Sequence, residues 1–408
     1  MKSGIKNAML IAAALPWCFS CVATAQSLPS FRIKGRVDEE KIASAVANAR
    51  IQAYDLSPDG SRAALFVASG DLVQAPTWVL IARSTDSTIL SQIPFGAARL
   101  ASQGNGPQVA FTPDGKLLVV HDSQTVSILE TSTLAKMRTI TPTIKDRLNV
   151  PVRIVMASKS NAAAISFGTG DPVLNSLDER PVQTEMVDVS TGKPVGTWES
   201  DDLPMSVSPN ADFVALSDHS STGAVMGVVI VESKSGKKVA TLSARYVFTE
   251  GETRQKFAAR MTAKFISNDE VILTPDGNVD QLGDDGGPGI KIVRFQDSKV
   301  VQEIRPQHYG PTGEIAVSAD QNDLITLSLY LPPKYRTHPH WRIPKDSGPK
   351  LMVLSNQAGL KMDSVTQMSN MTGLRTFTMY DWAGLRVSAD GSSISVAQDH
   401  GITIFARK

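Results

Sequence analysis

Short apolar runs ending in Ser/Thr-Pro/Ala-Asp/Asn-Gly recur down the chain. The clearest are Asp55-Leu56-Ser57-Pro58-Asp59-Gly60 and Ala110-Phe111-Thr112-Pro113-Asp114-Gly115. Val207-Ser208-Pro209-Asn210, Phe265-Ile266-Ser267-Asn268-Asp269, Val317-Ser318-Ala319-Asp320 and Val387-Ser388-Ala389-Asp390-Gly391 follow, and Met156-Ala157-Ser158-Lys159-Ser160-Asn161 is a degenerate copy where one is due. Pro presets the first corner of a type I turn, Asp or Asn bonds its own backbone, and Gly accepts positive φ. A β-rich apolar strand stands on either side, as in Arg62 to Val67 or Lys116 to Val120, so each motif predicts a hairpin. The Ser/Thr positions 57, 112, 158, 208, 267, 318 and 388 are spaced by 55, 46, 50, 59, 51 and 70 residues. The chain therefore reads as seven copies of one unit.

A second turn signal falls about 20 residues after most of these. Asp188-Val189-Ser190-Thr191-Gly192-Lys193-Pro194-Val195 and Glu232-Ser233-Lys234-Ser235-Gly236-Lys237-Lys238-Val239 are the sharpest, with looser versions at Arg83 to Thr88, Glu130 to Leu134, Phe295 to Lys299 and Ser355 to Lys361. Each unit thus has four strands, with tight turns after the first and third. Four-stranded units of this length repeated around an axis predict an all-β, seven-bladed β-propeller. The pairing of the two turn types resembles the bacterial YVTN and WD-repeat-like propellers, which are related to the heavy subunits of quinoprotein amine dehydrogenases. That resemblance implies the fold; the turns that carry it are scaffold residues. The Gly-His and Trp-Asp dipeptides of true WD repeats are absent.

The last unit runs through Leu385-Arg386-Val387, Ser393 to Ala397 and Ile402-Thr403-Ile404-Phe405, which is only three strands. Phe31-Arg32-Ile33-Lys34-Gly35-Arg36-Val37 alternates apolar and basic residues and is expected to supply the missing outer strand, closing the ring. Asp38 reads as an N-cap before a short helix, with Ile42, Val46 and Ala49 facing inward.

Composition changes the picture mainly in compartment. Lys2 and Lys6 precede an uncharged apolar stretch from Ala8 to Val22, and Ala23-Thr24-Ala25 offers a cleavage site before Gln26. Residues 1–25 are expected to be a signal peptide and 26–408 a single propeller domain, with 26–48 as closing strand and helix and 49–408 as the repeats. Both cysteines, Cys18 and Cys21, lie inside the segment to be removed, which suits an oxidising destination, periplasmic or secreted. No later apolar run reaches transmembrane length. With 41 Lys+Arg against 40 Asp+Glu, the chain lacks the bulk positive field of a nucleic-acid binder.

Candidate chemistry gathers on the loops between second and third strands, which antiparallel order puts on one face. Those of the third, fifth and sixth units are long, about 168–181, 276–289 and 330–349. The sixth holds Tyr330, Tyr335, Arg336, His338, His340, Trp341 and Arg342, aromatic rings beside cations that suit a protein or glycan partner. In the fifth, Asp276, Asn278, Asp280 and Asp284 match positions 1, 3, 5 and 9 of a calcium loop, but Gln281 and Gly287 replace the Gly and the bidentate Glu that such loops use. No other cofactor is expected. His121, His219 and His400 each adjoin an Asp and read as turn chemistry. No nucleophile elbow, phosphate loop or dinucleotide fingerprint is present, so no catalytic residue is assigned. The expected function is an exported, non-catalytic binding or scaffold module. The alternative is a propeller enzyme or enzyme subunit of the lactonase or quinoprotein-dehydrogenase type.

Overall fold

A computed structural model describes residues 31–70, 75–98, 106–122, 124–143, 148–169, 182–219, 225–243, 260–276, 290–304, 309–319, 323–330, 348–355, 361–367, 376–378, 381–382, 384–398 and 400–407. Six four-stranded antiparallel sheets are each built from four consecutive strands. The first takes Ala49–Leu56, Arg62–Ser69, Ala75–Arg83 and Ile89–Ala98, and the second Gln108–Phe111, Leu117–His121, Val126–Glu130 and Lys136–Ile140. The third takes Leu148–Met156, Ala162–Thr169, Val182–Asp188 and Lys193–Ser200, and the fourth Pro204–Val207, Phe213–His219, Val225–Glu232 and Lys238–Ser243. The fifth takes Arg260–Phe265, Glu270–Asp276, Ile290–Arg294 and Lys299–Ile304, and the sixth Tyr309–Val317, Asp323–Tyr330, Gly348–Ser355 and Lys361–Gln367. A further four-stranded sheet is composite. Arg386–Val387, Ser393–Gln398 and Gly401–Arg407 are joined by Phe31–Asp38, which pairs antiparallel with Gly401–Arg407 from Phe31 opposite Arg407 to Asp38 opposite Gly401. Thr376–Thr378 and Asp381–Trp382 form a separate two-stranded ribbon beside Tyr309–Val317.

Face-to-face packing of these sheets explains the hydrophobic pattern. Ala63-Ala64-Leu65-Phe66-Val67-Ala68 is apolar throughout because a middle strand is covered on both sides; every one of its side chains is fully buried. Successive residues alternate between two cores: Leu65 and Val67 face the composite sheet, whereas Ala64 and Phe66 face the second sheet. The same interleaving joins the second sheet to the third, the third to the fourth, the fourth to the fifth and the fifth to the sixth. Phe31, Ile394, Val396 and Phe405 of the composite sheet pack on Ala316 and Ile325 of the sixth. Its Val37, Ala397, Ile402 and Ile404 pack with Ile51, Leu65 and Leu80 of the first. The architecture is an all-β propeller of four-stranded antiparallel blades.

The helix between the first two strands is a single turn, Glu39–Ile42, with Ile42 and Val46 buried beneath it. Asp38 occupies the N-cap but makes no capping hydrogen bond through its side chain, contrary to the sequence expectation. Its carboxylate instead meets Arg36 Nε at 2.6 Å and Lys41 Nζ at 3.9 Å.

The turn motif acquires its geometry from one hydroxyl. Ser57 Oγ donates to Asp59 Oδ1 at 2.6 Å and accepts the Arg62 N–H at 2.9 Å, and Thr112 and Ser388 repeat both bonds. Gly60, Gly115 and Gly391 close the turns at φ of +64°, +68° and +69°. The fourth sheet has Ala211 at the equivalent place, held at φ +65°. An L-residue pays a steric cost there of about 1 kcal/mol. Ala211→Gly is therefore expected to stabilise the protein by about 1 kcal/mol, read as a higher denaturation midpoint at unchanged m-value. An unchanged or lower midpoint would refute that account.

Candidate functional site

Both kinds of tight turn lie on one face, because they bond to each other within a blade. Ser84 N–H donates to Ser61 O at 3.0 Å, Thr131 N–H to Lys116 O at 2.9 Å and Ser233 N–H to Asp212 O at 2.8 Å. Neighbouring blades are tied together on the same face. Asn161 Nδ2 donates to Asp114 Oδ2 at 3.2 Å, Lys159 N–H to Pro209 O at 3.2 Å, Ala319 N–H to Ala389 O at 3.0 Å and Ala389 N–H to Pro58 O at 2.8 Å. Asp59, Asp114 and Asp390 take part as carboxylates. Partial burial pushes their pKa upward, but the hydroxyls of Ser57, Thr112 and Ser388 and the N–H groups after them hold it below the ordinary aspartate value. This face is committed to holding the turns together. The connections between second and third strands open on the opposite face.

The innermost strands line a cavity of about 280 Å³. Its wall includes Tyr54 and Asp55 of the first sheet, Gln108 of the second, Arg153 of the third, Ser206 of the fourth, Lys264 of the fifth, Ser318 of the sixth and Arg386 of the composite sheet. Every lining residue lies within five positions of a turn motif, so the cavity sits at the turn end of the channel. Side chains on these strands bridge to the next blade. Asp55 Oδ2 accepts the Phe111 N–H at 2.8 Å, Gln108 Oε1 the Ile154 N–H at 2.6 Å and Ser206 Oγ the Phe265 N–H at 3.0 Å. Arg386 Nε stands 3.4 Å from Asp55 Oδ1, and its guanidinium lies 5.7 Å from the centre of the Tyr54 ring. The Tyr54 hydroxyl donates to Gly384 O. Arg153 and Lys264 are half-buried in the same wall.

These channel charges were not singled out from sequence. Their signal was present nonetheless: each is a charged residue on a first strand, two to five positions before a turn Ser, where an apolar residue is the rule. The residues that were singled out lie elsewhere. Tyr335, Arg336, His338, His340, Trp341 and Arg342 fall outside the described residues, as do Asn278, Asp280 and Asp284. Tyr330 ends the strand Asp323–Tyr330 opposite Gly348, and Asp276 ends Glu270–Asp276 opposite Arg260. Both therefore stand at the loop-face ends of second strands. Among the described residues no group of three or more His, Cys, Asp or Glu is placed to hold a metal ion.

His121 corrects a sequence reading. In the turn, Asp122 Oδ1 accepts the N–H groups of Gln124 and Thr125 at 2.9 and 2.7 Å. His121 is fully buried, and desolvation lowers its pKa from 6.5 to about 3. The fold holds the neutral imidazole while the unfolded chain takes a proton below pH 6.5, so this residue makes stability fall as pH drops from 6.5 toward 3. At pH 5 the loss should be about 2 kcal/mol. His121→Leu is expected to flatten the stability profile between pH 4.5 and 6.5, where the turn aspartates remain ionised. Denaturant midpoints across that window test it; parallel profiles for the two proteins would refute it.

The fold and channel define the class: a β-propeller with WD40-type neighbours. The chain is similar to the WD40 domain of Toxoplasma gondii coronin, with a TM-score of 0.54, 10% identity, and coverage of 93% of this chain and 86% of that one. It is also similar to a chain of the mitotic checkpoint complex, with a TM-score of 0.50, 13% identity and coverage of 98% of both chains. At these identities the likeness is one of fold. No protein-family model matches the sequence, and no curated protein matches it. Among the described residues no helix is long and apolar enough to cross a membrane.

Proposed function

We propose that this chain is an exported seven-bladed propeller that serves as a binding or protein-interaction scaffold, engaging a protein or glycan partner with the long loops of one face. The observation that carries this reading is the inequality of the two faces. One face is occupied by bonds between turns, whereas the long connections 170–181, 277–289 and 331–347 leave from the other. Long loops on a rigid ring are where recognition most often resides. Aromatic and Arg residues from Tyr330 to Arg342 supply side chains that contribute most to binding per residue. Calcium on Asp276, Asn278, Asp280 and Asp284 is an auxiliary proposal, tested by a calcium-dependent melting temperature. The propellers similar in fold include a member of a checkpoint complex, which agrees with a role in assembly.

Ring closure by the amino-terminal strand is part of the proposal, and two close approaches support it. A Cβ on Gly196, in the outer strand of the third sheet, would meet Ser233 O of the next blade's turn at 2.4 Å. A Cβ on Gly35, in Phe31–Asp38, would meet Thr85 O of the first sheet's turn at 2.5 Å. Phe31–Asp38 thus stands to the first blade as Lys193–Ser200 stands to the fourth. That is the relation expected of the outer strand of a seventh blade in a YVTN or quinoprotein-type ring.

The test is affinity capture with the protein secreted by its own leader, followed by amino-terminal sequencing and comparison with Trp341→Ala and Arg342→Ala. A partner retained by the parent and lost by both variants supports the scaffold. Unchanged capture, or cytoplasmic retention with residues 1–25 intact, overturns it. The enzyme alternative has one favouring observation, the four charged side chains meeting in the channel. Turnover of a lactone or amine, abolished by Asp55→Asn, would replace the scaffold reading with that one.

A further inference from the structure

One middle strand departs from the apolar rule. Val182–Asp188 of the third sheet reads Val-Gln-Thr-Glu-Met-Val-Asp, and Gln183, Thr184 and Glu185 are all buried, Glu185 at 1% exposure. Thr184 is satisfied on one side of the sheet, where its hydroxyl lies 2.7 Å from that of Ser166. Gln183 and Glu185 are on the other side, opposite Phe167 and Ile165, in the core shared with the second sheet. Three donors converge on a single oxygen of the Glu185 carboxylate. Thr143 gives its N–H and its hydroxyl to Oε1, each at 2.5 Å, and Gln183 Nε2 donates to the same atom at 2.6 Å. The second carboxylate oxygen, Oε2, is buried without a hydrogen-bond partner, and so is the amide oxygen of Gln183. Among the described residues no Lys, Arg or His pairs with Glu185. A carboxylate taken out of water is paired or coordinated, because leaving it bare is too costly.

We propose that Glu185 and Gln183 bind a monovalent alkali cation, sodium or potassium, between the second and third sheets. Both bare atoms are hard oxygens, one carboxylate and one amide, which is the donor chemistry such ions take. Their side chains are already joined by the bond from Gln183 Nε2 to Glu185 Oε1, which holds the two oxygens in one place. One negative charge among neutral oxygens balances one positive charge, whereas a divalent ion would leave a charge buried and uncompensated. Thr143 is exposed and gives the site its route to solvent. It stands just beyond Lys136–Ile140, the last strand of the second sheet, so the ion fastens that exit to the middle strand of the third. Gln183 adjoins Val182, where the long connection 170–181 rejoins the sheet. The ion thereby stiffens the base of one of the long loops.

Thermal melts in sodium, potassium and choline chlorides at one ionic strength separate binding from screening. A saturable rise in melting temperature with sodium or potassium over choline is expected, and the larger rise identifies the preferred ion. Glu185→Gln is expected to abolish that rise. Gln183→Met keeps the carboxylate and nearly the same volume, and is expected to need about tenfold more ion for the same effect. Sodium NMR on the parent protein adds a readout that depends on no variant folding: the sodium line should broaden, and potassium should sharpen it again. Equal melting in all three salts, ion dependence that survives in Glu185→Gln, a sodium line that potassium leaves unchanged, or stabilisation by calcium alone would each overturn the proposal. Capture of a loop-face partner is read out through Trp341 and Arg342, so failure of this site and failure of the scaffold reading are separately visible.

Discussion

A chain that begins at Glu39, lacking Phe31–Asp38, is expected to melt far below the parent and to aggregate as it does so. The strand contributes two deeply buried side chains, Phe31 and Val37, to the cores on either side of the composite sheet. Each is worth about 1.5–3 kcal/mol of burial. Its removal also uncovers part of Ile402, Ile404 and Phe405 and turns Gly401–Arg407, still paired with Ser393–Gln398, into an open edge strand. The total, about 5 kcal/mol or more, is comparable to the whole stability of an ordinary domain. A long apolar edge is in addition a template for pairing between molecules. Thermal melts with light scattering would check this, and a synthetic peptide of residues 31–38 should restore part of the lost stability. A truncated chain that melts with the parent and stays clear would show that the strand is dispensable.

Glu39→Ala should cost about 1–3 kcal/mol, chiefly through the buried acceptor it removes. The carboxylate is buried at 5% side-chain exposure, 3.1 Å from Arg50 NH1, and it accepts the Ile51 N–H at 2.8 Å. The Glu39 N–H in turn donates to His400 O at 3.1 Å. One residue therefore pins the helical turn to the first blade through its side chain and to the composite sheet through its backbone. Removing the carboxylate takes away an acceptor of the Ile51 N–H and the anion beside Arg50, whose side chain is 39% exposed and keeps its hydration. Glu39→Gln should cost less, since it can still accept from Ile51, and Glu39→Ala with Arg50→Ala should cost clearly less than the two single losses added. Strictly additive losses in a double-mutant cycle would mean that the pair is not coupled.

The four-strand unit was legible because its signals are local. A serine, a proline or alanine, an aspartate and a glycine fix a turn within six residues, and the hydrogen bonds of Ser57, Thr112 and Ser388 are made within that span. The strand at Phe31–Asp38 was legible from alternation alone. Its neighbour Asp38 was misread, because a cap depends on where a side chain turns, and Arg36 competes for the carboxylate at 2.6 Å. The channel charges escaped notice for another reason. Asp55, Arg153, Lys264 and Arg386 are far apart in the chain and become neighbours only through radial packing. His121 looked like part of a polar turn because it stands beside Asp122; only the burial of the second strand's end separates the two residues.

The composite sheet also bears on the order of events as the polypeptide emerges from the ribosome. Phe31 finds its partner in Arg407, so this strand must wait for one made far later in the chain. Sheets made of consecutive strands can assemble progressively during synthesis, each on the one before, with short loop closures. The remaining sheet demands a closure between Phe31–Asp38 and Gly401–Arg407, which makes it the natural slow step and leaves the earlier strand without its mate until the later one has been made.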